Sequence, residues 1–115
     1  MIVPLLLEEY FKRKDYTKAE EYFKEYQLKL SESDRVSFSA AIDSYRGKYK
    51  TAQSTIENYL EKNPKDISVL ERLGTLQTLQ KYYTEAVSTY QDLAKLNPKK
   101  SYLELLCYNS MLHSD

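Results

Sequence analysis

Apolar residues recur at spacings of three and four along almost the whole chain, with polar residues between them, which is the signature of amphipathic helices. Leu5, Leu6, Leu7, Tyr10 and Phe11 predict a first helix over about Val3–Arg13, with Asp15-Tyr16 as the joint. A Thr-x-x-Glu capping box at Thr17–Glu20 opens a second helix, whose apolar face is Ala19, Tyr22, Phe23, Tyr26 and Leu30. Ser31-Glu32-Ser33 is a polar break. A third helix, about Asp34–Arg46, carries Phe38, Ala41, Ile42 and Tyr45 on one stripe and Val36 and Ala40 on another. Gly47 follows it at the position favoured for a left-handed C-terminal cap. The fourth helix, about Tyr49–Glu61, turns Ala52, Ile56, Tyr59 and Leu60 inward and closes at Asn63-Pro64. Asp66 or Ser68 caps a fifth, which reaches about Gln80, and a sixth spans about Tyr83–Leu96 and stops at Asn97-Pro98. A second capping box, Ser101–Glu104, opens a seventh that runs to about His113. No stretch alternates with period two over more than a few residues, so no strand is expected.

The helices are written in a repeat. Ser33–Asp66 aligns with Ile67–Lys100 without a gap. Tyr49 pairs with Tyr83, Ala52 with Ala86, Ser54-Thr55 with Ser88-Thr89, and Asn63-Pro64-Lys65 with Asn97-Pro98-Lys99. The same Tyr-x-x-Ala stands at Tyr16–Ala19. Each recurring element has a physical task. The alanine admits a close helix crossing, the bulky residue four further on (Phe23, Ile56, Tyr90) fills the space beside it, and the proline stops the helix. The best-formed unit contains Leu73-Gly74, Ala86, Tyr90 and Pro98.

These residues resemble the tetratricopeptide repeat family, built from 34-residue helix-turn-helix units with a large-small pair in the first helix, alanine and aromatic in the second, and a closing proline. Leu73-Gly74, Ala86, Tyr90 and Pro98 match that pattern in register; the middle unit matches through Ala40, Gly47, Ala52 and Pro64, and the first through Tyr10, Ala19 and Phe23. Ser31 replaces the first unit's proline, and the tryptophan often seen early in the first helix is absent. The resemblance implies an all-α, right-handed α-solenoid forming a single domain over residues 1–115: repeats at about 1–32, 33–66 and 67–100, then an extra helix at about 101–113.

Composition narrows the function classes. Seventeen basic and seventeen acidic side chains leave no net charge, and Lys12-Arg13-Lys14 and Lys99-Lys100 fall at joints, so neither basic excess nor basic stripe points to nucleic acid. One cysteine, Cys107, and one histidine, His113, exclude an intrachain disulfide and a multi-ligand Cys/His metal site. Cys107 reads as a small core residue. The glycines, Gly47 and Gly74, are too far apart for a phosphate-cradling loop. No catalytic residues, metal or cofactor are expected, and the apolar start is too short for a signal peptide or membrane span, which suits a cytoplasmic protein. Most of the 12 tyrosines fall on inward stripes and read as packing; Tyr45 and Tyr102 are better placed for contact.

The resemblance implies a concave face lined by the first helix of each unit. Its lining positions correspond here to Asp34, Ser37, Ala41, Ser44 and Tyr45 in the middle unit and to Ser68, Glu71, Thr75, Thr78 and Leu79 in the third. Glu8, Phe11 and Lys12 come from the first unit and Tyr102, Leu105, Asn109 and Leu112 from the extra helix. The expected activity is non-catalytic scaffolding, with the groove presented to a peptide or helix of a partner protein. Cochaperone members grip a terminal carboxylate with Lys, Asn and Arg; those positions hold Pro4, Glu8, Phe38, Ser68 and Arg72 here, and only Arg72 fits, so no chaperone-tail binding is expected. The seventh helix is apolar most of the way round. That raises a second expectation, self-association as a homodimer, or as a segment of a larger helical-repeat assembly, through Tyr102, Leu105, Tyr108, Met111 and Leu112.

Overall fold

A computed structural model describes the backbone of residues 2–114 and the side chains of residues 5–99 and 102–111. The periodic segments form α1 (Ile2–Lys12), α2 (Tyr16–Tyr26), α3 (Glu32–Tyr45), α4 (Tyr49–Lys62), α5 (Ile67–Leu79), α6 (Tyr83–Leu96) and α7 (Lys100–Ser114), and no strand occurs among the described residues. A 3₁₀ turn at Gln27–Lys29 ends α2 where the other units use proline, and it leaves Leu30 buried.

Three helix starts differ from the sequence expectation, those of α2, α3 and α7. Asp15, not Thr17, caps α2, accepting from the Lys18 amide at 3.3 Å. Ser31 caps α3 by accepting from the Asp34 amide at 3.2 Å, so the helix begins within the expected polar break. In both places an oxygen-bearing side chain just before the helix reaches an amide that has no intrahelical partner. Asp66 caps α5 through the Val69 amide (3.3 Å) and accepts from the Tyr59 hydroxyl at 2.6 Å. Helix α7 begins at Lys100, which puts Ser101 inside its first turn; the side chain of Ser101, like those of Leu112 and His113, lies outside the described residues.

The turn inside each unit repeats one conformation. Lys14, Gly47 and Lys81 have φ of 58°, 78° and 66°. In each turn the following amide reaches back to close the helix end: Asp15 to Tyr10 (2.9 Å), Lys48 to Asp43 (2.8 Å) and Tyr82 to Gln77 (2.9 Å). Only glycine adopts this conformation without steric cost, so two of the three turns carry local strain.

The core is a chain of three pools. The first joins Leu7, Phe23, Leu30, Phe38 and Ile42; the second Ala40, Ala52, Ile56, Val69, Leu73 and Leu76; the third Leu70, Ala86, Tyr90, Leu93 and Tyr102. The crossing alanines Ala19, Ala52 and Ala86 are fully buried. At the third crossing, a Cβ added to Gly74 would lie 2.6 Å from Tyr90 Cζ, which explains the glycine at this mid-helix position. The molecule extends 43 × 26 × 25 Å, and its 14.2 Å radius of gyration exceeds the roughly 13 Å of a compact chain of this length, as expected for units stacked in one direction.

Candidate functional site

The first helices of the units, α1, α3 and α5, stand side by side and enclose a groove of about 400 Å³. Its apolar end is built from the C-terminal halves of α3 and α5 and from α1. Phe11 stacks on Phe38 with ring centroids 6.0 Å apart, anchoring α1 to α3. Tyr45 stacks on Tyr16 at 3.9 Å, which holds a ring that is still 56% exposed. Leu79, also 56% exposed, lines the same groove with Ala41, Ser44 and Thr75. A polar recess of about 220 Å³ adjoins it at the N-terminal ends of α3 and α5, lined by Glu8, Asp34, Ser37, Ser68, Glu71 and Arg72 among others.

Nine of the ten residues expected in the groove therefore line the groove or the recess: Ala41, Ser44, Tyr45, Thr75 and Leu79 the first, and Asp34, Ser37, Ser68 and Glu71 the second, with Thr75 shared. Thr78 is turned toward α7, where its hydroxyl donates to Asn109 Oδ1 at 3.2 Å. The sequence reading also omitted Tyr16, a second-helix residue that no pattern of first-helix positions can find, and Leu76.

Arg72 is the one basic side chain of the recess. Its Nε donates to Ser37 Oγ at 3.3 Å. Burial lowers its pKa from the ordinary value, opposed by the nearby carboxylates of Glu71 and Glu8. Glu71 is fixed from the other side, where the Tyr102 hydroxyl donates to its Oε2 at 2.7 Å.

Helix α7 corrects several expectations. Tyr102 is buried in the third core pool, because its ring fills the seam between α6 and α7 while its hydroxyl reaches Glu71; it offers no contact surface. Burial, then the bond to Glu71, pushes its pKa up to about 12. Leu105, expected on the concave lining and in self-association, packs half-buried against the same pool. Asn109 is fully buried, and its Nδ2 donates to Leu105 O at 2.9 Å. Tyr108 and Met111 are exposed, at 54% and 69%. Cys107 is exposed too, not a core residue, since the helix turns its Tyr102–Asn109 face inward.

Among the described residues no cluster of three His, Cys, Asp or Glu could hold a metal ion, no buried side-chain polar atom lacks a partner, and no helix is long and apolar enough to cross a membrane. The chemistry on offer is that of a surface: apolar contact, aromatic rings and carboxylates.

No family model matches the chain, and no curated protein matches it in sequence. Among solved structures, the chain is similar to the first TPR of Spaghetti (RPAP3) bound to HSP90 peptide SRMEEVD, with a TM-score of 0.77 and 16% sequence identity over 99% of this chain and 94% of that one. At that identity the likeness speaks for the architecture: the chain has a tetratricopeptide-repeat-like fold, an all-α helical-repeat solenoid.

Proposed function

We propose that this chain is a non-catalytic protein-interaction module whose concave groove receives a peptide or helix of a partner protein, in a scaffold or adaptor role. The observation that carries this reading is the groove itself: about 400 Å³, floored by small residues and rimmed by Tyr45 and Leu79. Two large apolar side chains held more than half exposed beside a concave floor are what a binding site for a peptide needs. The similar solved structure holds a peptide, and the fold is one used for interaction rather than catalysis. That peptide carries three acidic residues in its last four; here the carboxylates of Glu8, Asp34 and Glu71 line the recess beside Arg72, which supports a different ligand.

The test is affinity capture with the full chain, repeated with Thr75→Arg, which fills the exposed floor of the groove, and with Glu57→Arg on exposed α4. Partners kept by Glu57→Arg and lost by Thr75→Arg, at unchanged melting temperature, support the reading. Partners that ignore Thr75→Arg refute it.

The exposed Leu103, Tyr108 and Met111 of α7 favour a second reading, self-association through this helix. Concentration-dependent mass in light scattering, abolished by Met111→Glu, is its expected signature; a monomer at high concentration removes it.

A further inference from the structure

Resting on the groove reading, we infer the chemistry of the occupant: a protein segment that carries a lysine or arginine next to a large apolar residue. The groove has two poles. At one, Phe11, Tyr45 and Leu79 present apolar surface. At the other, Glu8, Asp34 and Glu71 line a recess in which Arg72 supplies the only positive charge among the described residues. Three carboxylates against one guanidinium leave that recess net negative. The guanidinium is bonded through its Nε to Ser37 and lies in the field of Glu71 and Glu8. Glu71 is preorganised, because the Tyr102 hydroxyl holds one of its oxygens at 2.7 Å, so less ordering is lost when a cation arrives.

The two poles are continuous, since Glu8, Phe38, Arg72 and Thr75 border both spaces. A single short segment spans them, with its apolar side chain against Tyr45 and Leu79 and its cation among the carboxylates. Lys12 sits at the apolar end, one helical turn beyond Glu8, and so adds to the polarity along the groove. An acidic segment meets repulsion at the recess, and charge placement of this kind selects partners more than it adds raw affinity.

The experiment pans the full chain against a displayed library of random linear peptides, then measures the enriched sequences as synthetic peptides by fluorescence anisotropy. The expected result is enrichment of Lys or Arg beside Leu, Ile, Met or Phe. Binding should then weaken roughly five- to tenfold in the double variant Glu8→Gln/Asp34→Asn, two partly exposed charge contacts each contributing modestly, and should fall with added salt. Circular-dichroism melting unchanged in the double variant keeps folding out of the comparison. Enriched neutral or acidic peptides displaced by Thr75→Arg overturn the inference and leave the groove reading standing, as do basic peptides indifferent to the double variant. No enrichment over the bare support fails both.

Discussion

Gly74→Ala adds one methyl group at the close crossing of α5 and α6. Its Cβ would lie 2.6 Å from Cζ, 2.9 Å from Cε1 and 2.9 Å from the hydroxyl oxygen of Tyr90. Comfortable contacts lie near 3.5–4.0 Å, so two ring carbons and the hydroxyl oxygen must retreat by about an ångström. The ring has little room to do so: Tyr90 is 2% exposed and packed in the third core pool. Overpacking of this kind costs about 1–3 kcal/mol, and a ring so fully enclosed belongs in the upper half of that range. Against it, alanine gains about 1 kcal/mol over glycine in a helix interior. The net expectation is a loss of about 1–2 kcal/mol, or roughly 4–8 °C in melting temperature for a chain of this size. Thermal and urea unfolding of four proteins (wild type, Gly74→Ala, Tyr90→Leu and the double variant) isolates the cause. With the ring removed, the methyl group has nothing to strike, so in the Tyr90→Leu background Gly74→Ala should stabilise by about 1 kcal/mol. The effect therefore changes sign between backgrounds. Stabilisation in the wild type, or equal destabilisation in both backgrounds, refutes the steric account.

Three further outcomes follow from local geometry. Lys81→Gly, or Lys14→Gly, relieves a left-handed backbone in a unit turn and should raise stability by about 0.5–1 kcal/mol in chemical unfolding, whereas Gly47→Ala should lower it. Tyr102→Phe removes the bond to Glu71 and should lower stability by about 1 kcal/mol at neutral pH. Because the folded state holds the Tyr102 proton up to about 12 against an ordinary 10.0, its contribution is complete below pH 10 and is lost as pH rises toward 12. One such proton gives a slope of at most about 1.4 kcal/mol per pH unit, so the alkaline decline of wild type should be steeper than that of Tyr102→Phe. Ala86→Arg forces a charged chain into a fully buried crossing and should cost at least about 3 kcal/mol; a variant that melts within about 2 °C of wild type would show the repeat register to be wrong.

The architecture was legible because its determinants are local and repeated. Small residues at Ala40, Gly74, Ala52 and Ala86 announce close crossings whatever lies around them, and Gly47 announces its turn. Lys14 and Lys81 adopt the same turn, but lysine carries no preference for positive φ; only the repeat register relates them to Gly47. Asp15 was passed over because Thr17 with Glu20 forms a complete capping box, and two adjacent capping signals cannot be ranked without the chain's direction of approach. Tyr102 failed for a different reason. A tyrosine on an apolar helix reads the same whether it points in or out, and what decides it is Glu71, 31 residues away on another helix. First-helix register could place nine of its ten positions along one concave face, but not the turn of Thr78 toward α7, because its bond to Asn109 is another contact between sequence-distant helices.

The division of the core into three pools bears on how the chain finds its structure. Helices adjacent in sequence do most of the packing, with α3 against α5 the main exception, so most native contacts form with short loop closures and little entropic cost per closure. Chains with such local contacts fold in microseconds to milliseconds, and any pool can form first and recruit its neighbour. The bonds Glu71–Tyr102 and Thr78–Asn109 skip over α6. They can close only after α6 has docked, so mutations that remove them should speed unfolding while leaving the folding rate almost unchanged.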